Sequence, residues 1–198
     1  MNASPMNASD ALLHRIEQDP SLAAALAWPG DFDIERRDPV EDVVLPTGIS
    51  LHPIAGCGAG GTYFLCGDAA DAADGRSGVE GGGGARPVLY ADSEGQATLI
   101  GADLVEAVTL IVVLPFWRDL ASGFTPEQAG AEVREDHPEF DAERDALLAA
   151  LGLAPVSDEV AAERLMAVAA RTSPEYLPRV PDDEHMPYDP LFGDGPEG

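Results

Sequence analysis

No lysine occurs anywhere in this chain; all 11 of its basic residues are arginine. A P-loop, a Schiff base and a Ser-Lys pair each require an ammonium side chain, so those chemistries are excluded outright. Cysteine is nearly as scarce, with only Cys57 and Cys66. Residues 1–10 also lack the basic region and apolar stretch of a signal peptide, so a cytoplasmic location is the expectation. Long hydrophobic runs are missing too. The longest, at residues 107–117, falls well short of the roughly 20 residues that span a bilayer and reads as a buried helix. Positive charge is scarce overall: 11 arginines face 36 acids, for a net charge of −25. Phosphate backbones and anionic headgroups would be repelled at long range, so neither nucleic acid nor membrane is expected as a partner.

What remains is ordinary for a folded domain. The 198 residues are 45% hydrophobic and 24% charged, enough apolar surface to offset the entropy of ordering, and the length suits one core with decorations. Arginine in place of lysine, beside plentiful Ala, Gly and Pro, is the coding habit of a GC-rich bacterial genome.

The order of local signals predicts an α+β fold, with a small, mostly antiparallel sheet packed against helices and a helical C-terminal extension. Residues 1–30 read as an N-terminal helical segment, with Ser9 and Ser21 as helix caps and Asp19-Pro20 as a break between two short helices. Residues 43–122 read as the core. In it Val43-Val44-Leu45 is an edge strand, and residues 49–55 and 62–66 are two strands around a glycine-rich turn, with Pro53 at an edge or bulge. Residues 67–86, including four consecutive glycines at 81–84, form a flexible insertion. Residues 87–91 and 96–100 flank Asp92-Ser93-Glu94-Gly95 as a hairpin. Asp103 starts a helix over residues 104–114 that Pro115 ends.

Residues 124–178 are helical and acidic. Asp136, Pro138 and Glu139 before Phe140, and Gly152 after Leu151, bracket one helix; Ser157 caps another, with Ala161, Leu165, Val168 and Ala169 on one stripe. Residues 181–198 hold six acids, no arginine and four prolines, and read as an extended or disordered tail. Its apolar stretch at residues 185–192 would dock on a partner or strap onto its own domain.

Few motifs point to catalysis. Residues 56–61 satisfy G-x-G-x-x-G after a strand, but Thr62-Tyr63-Phe64-Leu65 is strand-like where a nucleotide site needs a helix N-terminus, so a plain turn is the simpler reading. A small-ligand or metal-binding domain using that turn is the alternative. His52, Cys57 and Cys66 are three soft ligands, but no paired C-x-x-C or H-x-x-x-H spacing supports zinc, and buried structural thiols are the plainer account. With 36 acids, chance alone brings carboxylates together, so no general acid/base pair stands out. No catalytic residue, cofactor or metal is assigned.

The remaining signal is charge placement. Residues 127–145 carry eight acids against Arg134 and Arg144. Such a run is either a solvated helix face that serves solubility, in a structural housekeeping protein, or a surface that steers a basic protein partner. On the second reading the candidate contacts are Glu132, Glu135, Asp136, Glu139, Asp141 and Glu143, together with exposed sheet edges.

The middle of the chain resembles the SUKH superfamily, which groups a yeast cell-wall synthesis regulator with bacterial immunity proteins. The resemblance lies in Gly60-Gly61-Thr62-Tyr63-Phe64-Leu65-Cys66-Gly67, then Arg86-Pro87-Val88-Leu89-Tyr90-Ala91-Asp92, then Ile100 leading into Leu104-Val105-Glu106-Ala107-Val108. It covers residues 43–122. It implies a non-catalytic α+β domain that presents a protein-binding surface, and for bacterial members an immunity protein that neutralises a toxin, often a basic nuclease.

Overall fold

Gly56 ends one strand and Thr62 begins the next, so the glycine-rich stretch is a hairpin turn and not the mouth of a helix. In the computed structural model, which describes residues 7–68, 71, 86–181 and 187–193, β1 (Leu51–Gly56) and β2 (Thr62–Cys66) pair antiparallel. The register slips between Pro53 and Ala55. Pro53 therefore sits at an irregularity on an outer strand, where its missing N–H costs least. Almost all of the expected insertion at 67–86 lies outside the described residues.

β3 (Val88–Ala91) and β4 (Gln96–Gly101) form the second hairpin. In its turn the Asp92 Oδ1 accepts from the Glu94 and Gln96 amides, and Gly95 takes φ +91°. That backbone conformation suits glycine. β5 (Asp189–Pro190) adds a short parallel strand beside β4, completing the order β1-β2-β3-β4-β5.

The described part of the tail is thus extended and straps onto its own domain. Leu191 donates its N–H to the Ala97 carbonyl, Asp189 donates to Gly95, and the Tyr188 hydroxyl donates to Glu41 at 2.9 Å.

Strand alternation feeds two apolar layers. Tyr63, Leu65, Val88, Tyr90 and Ile100 face one cluster and Phe64, Cys66, Leu89, Ala97 and Leu99 the other. The first layer is closed by α1 (Ala8–Gln18), α2 (Pro20–Ala27) and α3 (Leu104–Val113), with Leu12, Ile16, Leu26, Leu104 and Ile111 in contact with the sheet residues. Leu148 and Leu151 of α5 (Phe140–Leu151) and Ala161 and Leu165 of α6 (Asp158–Ala169) join the same cluster. Val168, near the end of α6, enters the second layer with Tyr176, Leu45 and Ile49. The N-terminal and C-terminal helices therefore share one core with the sheet. The expected α+β architecture is what the chain adopts, and no helix among the described residues is long and apolar enough to cross a membrane.

Several helix ends differ from expectation in an instructive way. Asn7, not Ser9, caps α1, accepting from the Asp10 N–H; the Ser9 hydroxyl instead accepts from the Leu104 N–H, satisfying the first turn of α3 across the fold. Asp19 caps α2 with Pro20 at its first turn. Asp103, Gly152 and Ser157 act as expected. Asp136 does not cap α5, because it ends a helix that composition alone left undivided: α4 (Pro126–Asp136), set by a reciprocal Thr125–Gln128 capping box. A 3₁₀ turn, Trp117–Ser122, precedes it.

The sheet edges are occupied over part of their length, contrary to their expected role as open contacts. Asp33 pairs with Gly56 on the β1 side. On the β4 side, β5 is followed by Thr172, whose Oγ1 accepts the Leu99 N–H at 2.9 Å. Val44, expected in an edge strand, makes a single bridge to Arg179. Thr172 is buried, so Thr172→Val strands a backbone donor without water. The expected cost is about 1–3 kcal/mol, read as a lower urea midpoint at unchanged slope; an unchanged midpoint would show that the bond contributes nothing.

Candidate functional site

The glycine turn is occupied by its own chain. Cys57 lies beneath it, accepting the Gly61 N–H at 3.1 Å and meeting the Tyr90 hydroxyl at 3.6 Å. A Cβ on Gly61 would overlap the Tyr90 phenol, so the turn is packed from below. Asp31, at φ +54° just after Trp28-Pro29-Gly30, accepts the Gly58 N–H at 2.7 Å and the Arg118 Nη2 at 2.6 Å. Arg118 also donates to the Tyr63 hydroxyl and lies over the rings of Tyr90 and Trp117. The amides of Cys57, Gly58, Gly60 and Gly61 already have acceptors from the protein. This arrangement ties the turn, the α2 exit and the 3₁₀ segment together.

The three soft ligands do not converge. Cys57 belongs to one apolar layer and Cys66 to the other, across the sheet, while His52 sits at the outer strand 3.6 Å from Asp68. Among the described residues no group of three His, Cys, Asp or Glu is placed to hold a metal ion. Burial pushes the Cys66 thiol up to about 12, the behaviour of an inert core thiol.

The acidic helices are different, because they frame an open surface. Glu132, Glu135, Asp136, Glu139 and Glu143 are all exposed on α4, α5 or the link between them. Asp141 is exposed too, but it is already engaged. It accepts from Arg134 Nε and Nη2 and from Arg144 Nη1, and the Arg134 guanidinium holds its carboxyl below the ordinary Asp value. Arg134 and Arg144 also reach Asp158 at the start of α6, and Arg144 reaches Asp145. Both guanidiniums lie within about 6 Å of the Phe140 ring centre. Of the six candidate contacts, five are thus presented outward and one binds the helices to each other.

Beside this network runs a groove of about 490 Å³ between α2 and α5. Phe140, Leu147 and Ala150 form one wall, Leu22, Ala25 and Leu26 the other, and Ile111 and Val112 of α3 the floor. Glu143 and Arg144 supply its charge. At one end stands Trp28, 69% exposed, its ring edge-on to His137 at 5.8 Å. The groove exists because Ala25, Ala146 and Ala150 stand where larger side chains would fill the gap.

The charges are legible in the sequence; the groove is not. Trp28-Pro29-Gly30 follows the end of α2, and alanines are common helix formers, so neither marks a groove by itself. The one available signal was a tryptophan next to a helix terminator, since an aromatic of that size is rarely left in water without a use.

A scan against protein-family models, a search of curated proteins and a search of solved structures each found no match to this chain.

Proposed function

We propose that this chain is a non-catalytic protein-binding module whose acidic helical face receives a basic protein, with neutralisation of a basic toxin as the specific role that the SUKH resemblance implies. One observation carries the reading: Glu132, Glu135, Asp136, Glu139 and Glu143 are solvent-exposed on α4, α5 or the link between them, while Arg134 and Arg144 are bound by Asp141, Asp145 and Asp158. The surface is therefore negative to an approaching partner and has little positive charge free to soften it. Such a face speeds encounter with a cationic protein and rejects anionic ones.

The test is a pull-down from extract of the source cell with native chain and with a variant carrying Glu132→Gln, Glu135→Gln, Asp136→Asn, Glu139→Gln and Glu143→Gln. These positions are exposed, so each change costs within about 0.5 kcal/mol and the fold survives. Native chain is expected to retain a basic protein at low salt and release it as salt rises, and the variant to retain none. Equal recovery of the same protein by both would sink the proposal.

A further inference from the structure

We infer that the groove between α2 and α5 seats an amphipathic, lysine- or arginine-bearing helix of the partner, an inference that rests on the protein-binding reading above. Along α5 the groove is lined by Phe140, Glu143, Arg144, Leu147 and Ala150. These positions share one helical face and span about 15 Å at 1.5 Å per residue. Two or three turns of an incoming helix cover that length, offering apolar side chains at i, i+3 or i+4, and i+7. The alanines of both walls let its backbone approach closely. Trp28, 69% exposed at the groove, gains apolar cover from the occupant.

Charge decides the chemistry of the occupant. Arg144 is the one cation among the described residues lining the groove, and its guanidinium is held by Asp141, Asp145 and Asp158. A carboxylate or phosphate entering there meets three acids for the two guanidiniums, Arg134 and Arg144, that already hold them. Glu143 lines the same wall, with Glu139 one turn earlier on that face. A fatty acid or lipid headgroup is disfavoured on these grounds. A second copy of this chain, at a net charge of −25, is disfavoured as well. An apolar stripe flanked by Lys or Arg satisfies both the floor and the rim.

The probe is a synthetic peptide of about 14 residues, spanning about 21 Å as a helix, with Leu at i, i+3, i+4 and i+7 and Lys elsewhere. Trp28 reports on it directly, because the only other tryptophan, Trp117, is fully buried. Binding is expected to shift emission to the blue. Ala146→Phe, which fills the groove from an exposed position, is expected to weaken binding at least about tenfold without changing the melting temperature. The five-fold neutralised variant described above is expected to weaken it in a salt-dependent way.

A scrambled Leu/Lys peptide that binds as well as the amphipathic one, indifferent to Ala146→Phe, would overturn the groove while leaving the acidic-face reading standing. Equal binding of a Leu/Glu peptide would overturn the basic occupant. Failure of both Leu/Lys peptides to bind would overturn the groove and count against the acidic face together.

Discussion

Replacing Trp117 by alanine is expected to leave a chain that is partly unfolded at room temperature. Trp117 is fully buried and closes a row of aromatic rings. Phe32 meets Tyr63, Tyr63 meets Tyr90 and Tyr90 meets Trp117, each at 5.1 Å between centres, and Trp117 reaches Phe192 of the strap at 6.5 Å. Removing the indole forfeits its transfer energy and leaves a cavity that neighbouring rings cannot fill, about 3–5 kcal/mol in comparable cores. That is a large share of the roughly 5–15 kcal/mol that holds a domain together. The loss also unseats Phe192 and so weakens β5.

Trp117→Phe separates packing from chemistry. The indole Nε1 has no hydrogen-bond partner among the described residues, so phenylalanine removes that donor while keeping an aromatic ring against Tyr90. It is expected to cost much less than alanine. Urea denaturation followed by near-ultraviolet dichroism measures both, and equal losses for the two variants would show that ring packing is not what matters there.

The second large effect is alkaline. The Cys66 thiol rises from 9.0 to about 12 through burial. All four tyrosines are raised as well, with burial the largest cause in each: Tyr63, Tyr90 beside Cys57, Tyr176, and Tyr188, which reaches about 12 with Glu41 accepting its hydroxyl proton. For each of these groups the folded chain keeps a proton that the unfolded chain gives up. Their contribution to stability is fully present below the unfolded values, near 9 for Cys66 and 10 for tyrosine. It is lost as pH rises through the folded values.

Stability is therefore expected to fall steeply between about pH 9 and pH 12. The three core groups, Tyr63, Tyr90 and Cys66, account for most of the fall. Tyrosinate absorbance should appear cooperatively, together with loss of the circular dichroism signal. Independent titration of all four tyrosines near 10, with the fold intact, is the result that would refute this. Cys66→Ala should move the onset upward.

Much of this architecture is legible from short stretches. The β2 strand, the β3–β4 hairpin with its Asp92-to-Gly95 turn, the Asp103 and Ser157 caps and the Gly152 stop are each written in a few adjacent residues. Apart from β2, whose ladder to β3 is long-range, each rests on a bond between near neighbours, so tertiary context had little to override. The errors fall where a side chain serves a distant partner. Ser9 has the chemistry of a cap and is one, but for α3, some ninety-five residues away. Thr172 gives no local sign that it completes the edge of β4. Asp141 is indistinguishable by composition from Glu139 or Glu143, and only the approach of Arg134 and Arg144 withdraws it from the partner-facing set.

By itself, then, the order of residues determined the class of fold, the acidity and its concentration in residues 127–145, and the chemistries that a lysine-free chain cannot perform. These follow from counts and from interactions spanning a turn or two. Only the tertiary structure decided that Cys57 and Cys66 lie on opposite sides of one sheet, that the strap closes β4, and that α2 and α5 meet with alanines facing each other. A groove is a place where two helices fail to fill the space between them. That depends on Ala25 and Ala146 being brought together across more than a hundred residues by the core beneath, which no local pattern encodes.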